Sequence, residues 1–227
     1  MKRIIGRAVF IRHGETNYTD EFPDLTDAGK ETIKRAAVEI RKIHSRYPEP
    51  LRIMSSPAPR ALGTAAIISQ MMGYDQRVIA ASLLSPAGVR DKKRGADIFN
   101  EHVGNGGFRQ LSARYGSDQR YEDPAIFEPR TQVVSRFYEH LGQLVRNLMA
   151  GTRPLFVVCV SHYEVLYHLV ETSLSLDYAK DHPLTFGEMA LLSFYDIGPG
   201  STVEVCLTFR DRSKNMVFDY KKSAIVQ

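Results

Sequence analysis

Leu155-Phe156-Val157-Val158-Cys159-Val160-Ser161-His162 is the stretch that decides how this chain folds. Six apolar residues run without interruption, and a histidine follows at once. A strand with one wet face alternates apolar and polar; a strand covered on both faces does not. The run therefore predicts a central strand of a parallel sheet, with helices on both sides. Its surroundings agree. Upstream, Val133, Val134, Phe137, Leu141, Leu144, Val145 and Leu148 follow helical spacing. Pro129 suits the first turn of that helix, and Gly151 and Pro154 end it. Downstream, Val165, Leu166, Leu169 and Val170 predict another helix.

The same order recurs towards the amino end. Residues 8–11 form a short β-rich run that closes on Arg12-His13-Gly14. Thr26 can cap a helix whose apolar face is Ile33, Ala36, Ala37, Ile40 and Ile43. Leu51 to Met54 reads as a second strand, backed by a helix with Ala61, Thr64, Ala65, Ile68, Met71 and Met72 on one side. Val78 to Ala80 is a third strand. Residues 83–128 break the pattern with Gly, Pro and charge, and are too long for a plain connection, so they should hold short helices of their own. Met189 to Tyr195 and Val203 to Phe209 read as closing strands around Pro199-Gly200, forming an antiparallel edge. The expected fold is a three-layer α/β/α sandwich with a mostly parallel sheet, one domain over 1–227 with an insertion at about 83–128.

Composition narrows the classes. With 227 residues and 43% hydrophobic content, a full core can form without a metal or disulfide. Cys159 and Cys206 sit in apolar runs, with no metal-binding spacing, and read as free thiols of a reducing compartment. The basic start has its apolar stretch broken by Gly6 and Arg7, too short for a secretion signal, and no run is long enough to span a membrane. These features point to the cytoplasm. A net charge of +4 suits an anionic substrate, but no basic cluster suggests nucleic acid.

In parallel sheets, ligands bind beyond the carboxyl ends of the strands. Arg12-His13, Ser55 to Arg60 and Ser161-His162 all fall there. Phosphoryl transfer through a histidine needs a neutral imidazole, a fixed partner for its other nitrogen, cationic donors for three charged oxygens and an acid for the leaving group. Arg12 and Arg60 can supply planar bidentate donors, and Arg60 lies near a helix start that itself attracts anions.

Arg12-His13-Gly14-Glu15-Thr16 resembles the RHGxT signature of the histidine phosphatase superfamily, which includes phosphoglycerate mutases. Leu25 to Gly29 is similar to that family's LTxxG helix start, Ser55 to Ala65 to its SSPxxRAxxTA motif, and Val160-Ser161-His162 to its late strand–histidine motif. The resemblance implies a phosphohistidine on His13, phosphate oxygens bound by Arg12, Arg60 and His162, and no metal or other cofactor. Three positions depart from it. Thr19 stands where the family often has Asn, with Asn17 two residues earlier; both are candidate substrate contacts. Tyr163 follows His162 where Gly is usual, and adds bulk beside the pocket. The usual acidic Glu after the third strand is missing, since no Glu occurs between Glu49 and Glu101. Asp91 is the nearest carboxyl and the expected acid, with Asp97, Glu101 and His102 as substitutes.

Simpler readings stand beside these. Glu15 could equally hold its own loop, the basic run Arg90 to Arg94 is usually a solvated loop, and Asn105-Gly106-Gly107 lacks the setting of a nucleotide cradle. A phosphatase acting on a small phosphorylated molecule or a phosphoprotein is the leading expectation. A mutase is the runner-up, disfavoured by the short spacer Asn17 to Asp24 and by the lack of adjacent arginines in 83–128. A phosphate-binding signalling protein with little turnover is the third.

Overall fold

The computed structural model describes residues 2–17, 24–104, 114–176 and 182–226. The amino half runs β1 (Arg3–Arg12), α1 (Asp27–Arg46), β2 (Leu51–Ser55), α2 (Pro59–Met72) and β3 (Ile79–Ala80). The insertion carries α3 (Lys92–Gly104) between two 3-10 turns, Ser82–Leu84 and Gln119–Glu122. Then come α4 (Arg130–Ala150), β4 (Leu155–Ser161) and α5 (Tyr163–Tyr167), which passes into a π-helical turn at His168–Thr172. The chain closes with β5 (Met189–Asp196), β6 (Thr202–Phe209), β7 (Arg212–Asp219) and β8 (Ala224–Ile225).

Among the described residues the strands form one sheet in the order β3-β2-β4-β1-β5-β6-β7-β8. The first four run parallel; β5 to β8 each run antiparallel to the strand before them in the sheet. The sheet is thus mixed. Its parallel half carries the expected α/β order, and the antiparallel edge continues past β6 into β7 and β8, which the sequence reading left unmarked. β7 starts exposed over Ser213, Lys214 and Asn215, so its first half has no apolar alternation to read.

The central strands explain the three layers. Val158, Val160 and Phe156 of β4 pack with Val9 and Ile11 of β1 against Ile33, Ala37 and Ile40 of α1 and Ala61, Ala65 and Ile68 of α2. Val157 and Cys159 face the other way with Ala8 and Phe10, against Val133, Phe137 and Leu141 of α4. Each face meets a helical layer, so neither can be polar.

Thr26 caps α1 as expected, its hydroxyl accepting from the Gly29 N–H at 2.9 Å. This cap also fastens the loop after His13. The Thr26 N–H donates to the Glu15 carbonyl at 3.0 Å and the Thr26 hydroxyl to the Glu15 carboxylate at 3.2 Å. Arginines tie the insertion to α4. Arg136 donates to the carbonyls of Leu83 at 2.7 Å and Pro86 at 3.0 Å while pairing with Glu128 at 2.8 Å. Arg130 donates to the Tyr115 carbonyl at 2.6 Å and pairs with Glu122.

Gly29 lies so close to the histidine loop that a Cβ there would stand 2.3 Å from the Glu15 carbonyl oxygen. That neighbour is backbone, which cannot rotate aside. Gly29→Ala is therefore expected to cost about 1–3 kcal/mol, the usual range for overpacking. Thermal melting checks this, and an unchanged Tm would show that the loop yields freely.

Candidate active site

The ends of β1, β2 and β4 deliver the histidines and the arginines to one place. Arg12 stands opposite Ser161 in the β1–β4 pairing, and the His13 N–H extends the ladder by donating to the Ser161 carbonyl at 2.9 Å. The Ser56 N–H donates to the Val160 carbonyl at 3.0 Å and brings in the β2 end. His13 is 2% exposed and His162 fully buried, with ring centroids 4.9 Å apart. Arg60, the second residue of α2, donates through Nε to His13 Nε2 at 3.1 Å.

The tautomer of His13 follows from its contacts. Nδ1 lies 2.7 Å from the Gly14 carbonyl oxygen, which can only accept, so Nδ1 carries the proton and Nε2 the lone pair. Burial, then the charges of Arg60 and Arg12, hold the imidazole well below its usual pKa and keep it neutral. His162 is likewise held low, by burial first and then by His13 and the two arginines. Its Nε2 sits 2.8 Å from the Ser56 hydroxyl, which also accepts from the Ala58 N–H at 3.2 Å. Ser56 can then give its one proton to Nε2, leaving a buried Nδ1–H beside His13 that has no partner among the described residues. Gly14 is fixed too, its N–H donating to the Thr64 hydroxyl at 3.0 Å.

Arg12 is oriented from several sides. Its guanidinium donates to the Leu184 carbonyl at 2.5 Å and stands over the Phe186 ring at 4.1 Å and the Tyr163 ring at 5.1 Å. Behind it, the buried Glu171 accepts from the Leu184 N–H and from the Tyr163 hydroxyl, both at 2.9 Å. Burial pushes the Glu171 carboxyl up to about 7, against those hydrogen bonds and the charge of Arg12.

A cavity of about 470 Å³ opens beside these groups. Arg12, His13, Arg60 and Tyr163 line it, with Lys92 of α3 and Glu164 from the first turn of α5. His162 lies against His13 just behind it. Asp91 is placed elsewhere: its carboxylate caps α3 by accepting from the Arg94 N–H at 3.0 Å, and it is not among the described lining residues. Asp97 and Glu101 are not among them either, and Glu101 pairs with Arg120 at 2.8 Å. His102 is buried between Tyr121 and Asp118. Asn17 is exposed and outside the lining, and Thr19 lies outside the described residues. Within the basic run, Arg90 donates to the Pro124 carbonyl at 2.8 Å and Arg94 pairs with Asp123 at 3.4 Å, which leaves Lys92 facing the cavity. Among the described residues no group of three His, Cys, Asp or Glu side chains is placed to hold a metal.

Sequence reasoning missed Glu164, Glu171, Ser56 as a partner of His162, and Phe186. Glu164 could have been found from helical position alone: it follows His162 by two residues and so sits in the first turn at the same sheet edge.

A family model for the histidine phosphatase superfamily (branch 1) matches residues 8–207. Comparison with curated proteins finds no match. Among solved structures, mycobacterial hydrolase 2 is similar at 23% identity and a TM-score of 0.64, covering 94% of this chain and 92% of its own. A mycobacterial glucosyl-3-phosphoglycerate phosphatase follows at 22% and 0.56, covering 85% of this chain and 91% of its own. The alpha-ribazole phosphatase of Shigella flexneri stands at 17% and 0.56, covering 90% and 94%. These likenesses speak for the fold.

The buried titratable groups set opposing pH dependences. His13 and His162 have depressed folded pKa values, so the stability they contribute is present above about 6.5 and lost as pH falls. Glu171 is raised from 4.5 to about 7, so its contribution is full below 4.5 and lost as pH rises towards 7. Glu171→Gln is expected to remove the second effect. Melting at pH 5 and pH 8 should show the variant gaining on wild type with rising pH, on the order of 2 kcal/mol. A gap independent of pH would show that Glu171 is not held protonated.

Proposed function

The chain belongs to the histidine phosphatase superfamily, and we propose that it hydrolyses phosphomonoesters through a phosphohistidine on His13. One observation carries this reading: a buried neutral imidazole, tautomer fixed by the Gly14 carbonyl, offers its Nε2 lone pair where two guanidinium groups converge.

In this reading the substrate phosphoryl group enters with its oxygens towards Arg12, Arg60 and His162 Nδ1–H. Arg60 turns its donor from His13 Nε2 to a phosphoryl oxygen. Nε2 attacks phosphorus, and the bond to the ester oxygen breaks. Charge on the three equatorial oxygens is met by donors that need no rearrangement of backbone. The departing alcohol oxygen takes a proton from the Glu164 carboxyl. Water then attacks the phosphorus of the phosphohistidine, giving its proton back to Glu164, and the P–N bond breaks to release orthophosphate. Glu164 is preferred to Asp91 because it lines the cavity with His13, whereas the Asp91 carboxylate is spent on the α3 cap. The reading needs no metal ion, since the arginines supply the positive charge. Small phosphorylated molecules and phosphoproteins are the substrates it admits. A reducing cytoplasm suits the two free thiols, Cys159 and Cys206.

His13→Ala is expected to abolish turnover of p-nitrophenyl phosphate, and EDTA to leave wild-type turnover unchanged. Chelator-sensitive activity, or activity surviving in His13→Ala, would overturn the mechanism. Glu164→Gln should lower kcat on alkyl phosphates by about 100-fold, within the usual range for a general acid, and far less on p-nitrophenyl phosphate, whose leaving group needs little protonation. Asp91→Asn keeps an oxygen that can cap α3, so it should leave both stability and kcat nearly unchanged. If the two variants exchange these behaviours, Asp91 is the acid.

A further inference from the structure

The cavity reaches well past the phosphoryl end, and its far part is of a different character. Arg12, His13 and Arg60 occupy one end. Val89, Phe99, Tyr115, Tyr121 and Phe127, all from the insertion, line the rest among the described residues. Lys92 and Glu164 are the charged side chains there, one of each sign. At about 470 Å³ the space is in the range that takes a drug-sized ligand, far more than a phosphoryl group fills.

The wall is built for close aromatic packing. Tyr121 lies 5.0 Å from Phe127 and 5.2 Å from Tyr115, centroid to centroid. Gly95 lets Val89 and Phe127 close over α3, since a Cβ there would stand 2.6 Å from the Val89 side chain.

We infer that the far chamber binds the leaving group of the substrate, and that this group is a ring-bearing alcohol. This rests on the phosphatase reading for the chemistry, but the chamber itself can be tested without turnover. Rings stack on the tyrosines and Phe127, and their burial supplies affinity. Small alcohols leave most of this wall uncovered and gain little of that burial.

The experiment has two arms. Calorimetry compares 2-naphthylmethylphosphonate with ethylphosphonate, neither of which can be hydrolysed. Kinetics compares the matching phosphate esters with each other and with phosphoserine. The naphthyl phosphonate is expected to bind at least tenfold tighter than the ethyl one. Val89 is 50% exposed and tolerates change, so Val89→Asp should lower that ratio at least fivefold. The naphthyl ester is expected to exceed the ethyl ester in kcat/KM. Equal binding of the two phosphonates, or phosphoserine outperforming every ring-bearing ester, would overturn the chamber. Tight naphthyl binding with no turnover of any ester would keep the chamber and sink the phosphatase reading instead.

Discussion

The parallel pairing of β1 with β4 is the constraint from which the rest of the site follows. Arg12 faces Ser161 across the ladder, and the His13 N–H closes it on the Ser161 carbonyl. Two histidines far apart in sequence are thereby held ring to ring, without any direct bond between them. Side chains on a strand alternate in direction, so a slip of one residue would send Arg12 and its neighbours to the opposite face. The slip is opposed by the whole core. Phe10 and Val9 pack on different helical layers, and neither could change sides without burying the wrong volume.

Electrostatics is then arranged around groups that stay neutral. Burial, with the charge of the two guanidinium groups beside His13, discourages protonation of its Nε2. The arrangement costs stability at low pH and gains readiness. A backbone carbonyl, an aromatic ring and, one step behind, Glu171 through Leu184 fix the direction of Arg12.

Much of this was legible in the sequence because it rests on short local patterns. The unbroken run Leu155 to Val160 announced a strand covered on both faces, and the alternation at Val203, Val205, Leu207 and Phe209 announced the one-sided β6. The Thr26 cap, the apolar face of α1 and the end of α4 at Gly151 are local facts that the fold leaves unchanged. What escaped was set by tertiary contact. Nothing in the spacing of Arg130 and Arg136 marks them, yet they reach carbonyls of the insertion. Asp91 had the chemistry of an acid in roughly the expected place, but its carboxylate accepts from the Arg94 N–H at the start of α3. Glu164 stands at the same sheet edge, but none of the motifs marks it. Residues 105–113, including Asn105-Gly106-Gly107, lie outside the described residues.

The turn at His168–Thr172 has a consequence for how this fold can vary. There the Ser173 N–H reaches back to the His168 carbonyl, one residue further than in an α-helix. Such a bulge is the mark of a single residue gained within a helix, absorbed by widening one turn instead of shifting everything after it. Glu171 lies within the widened turn. Losing one residue within it would restore a regular helix and keep the later positions in phase, so the change would fall on the turn itself, where Glu171 stands. It would be nearly silent for the sheet, yet it would move the carboxylate behind Arg12. The length of this one turn is a lever on the Arg12 end of the site that no substitution within the strands could reproduce.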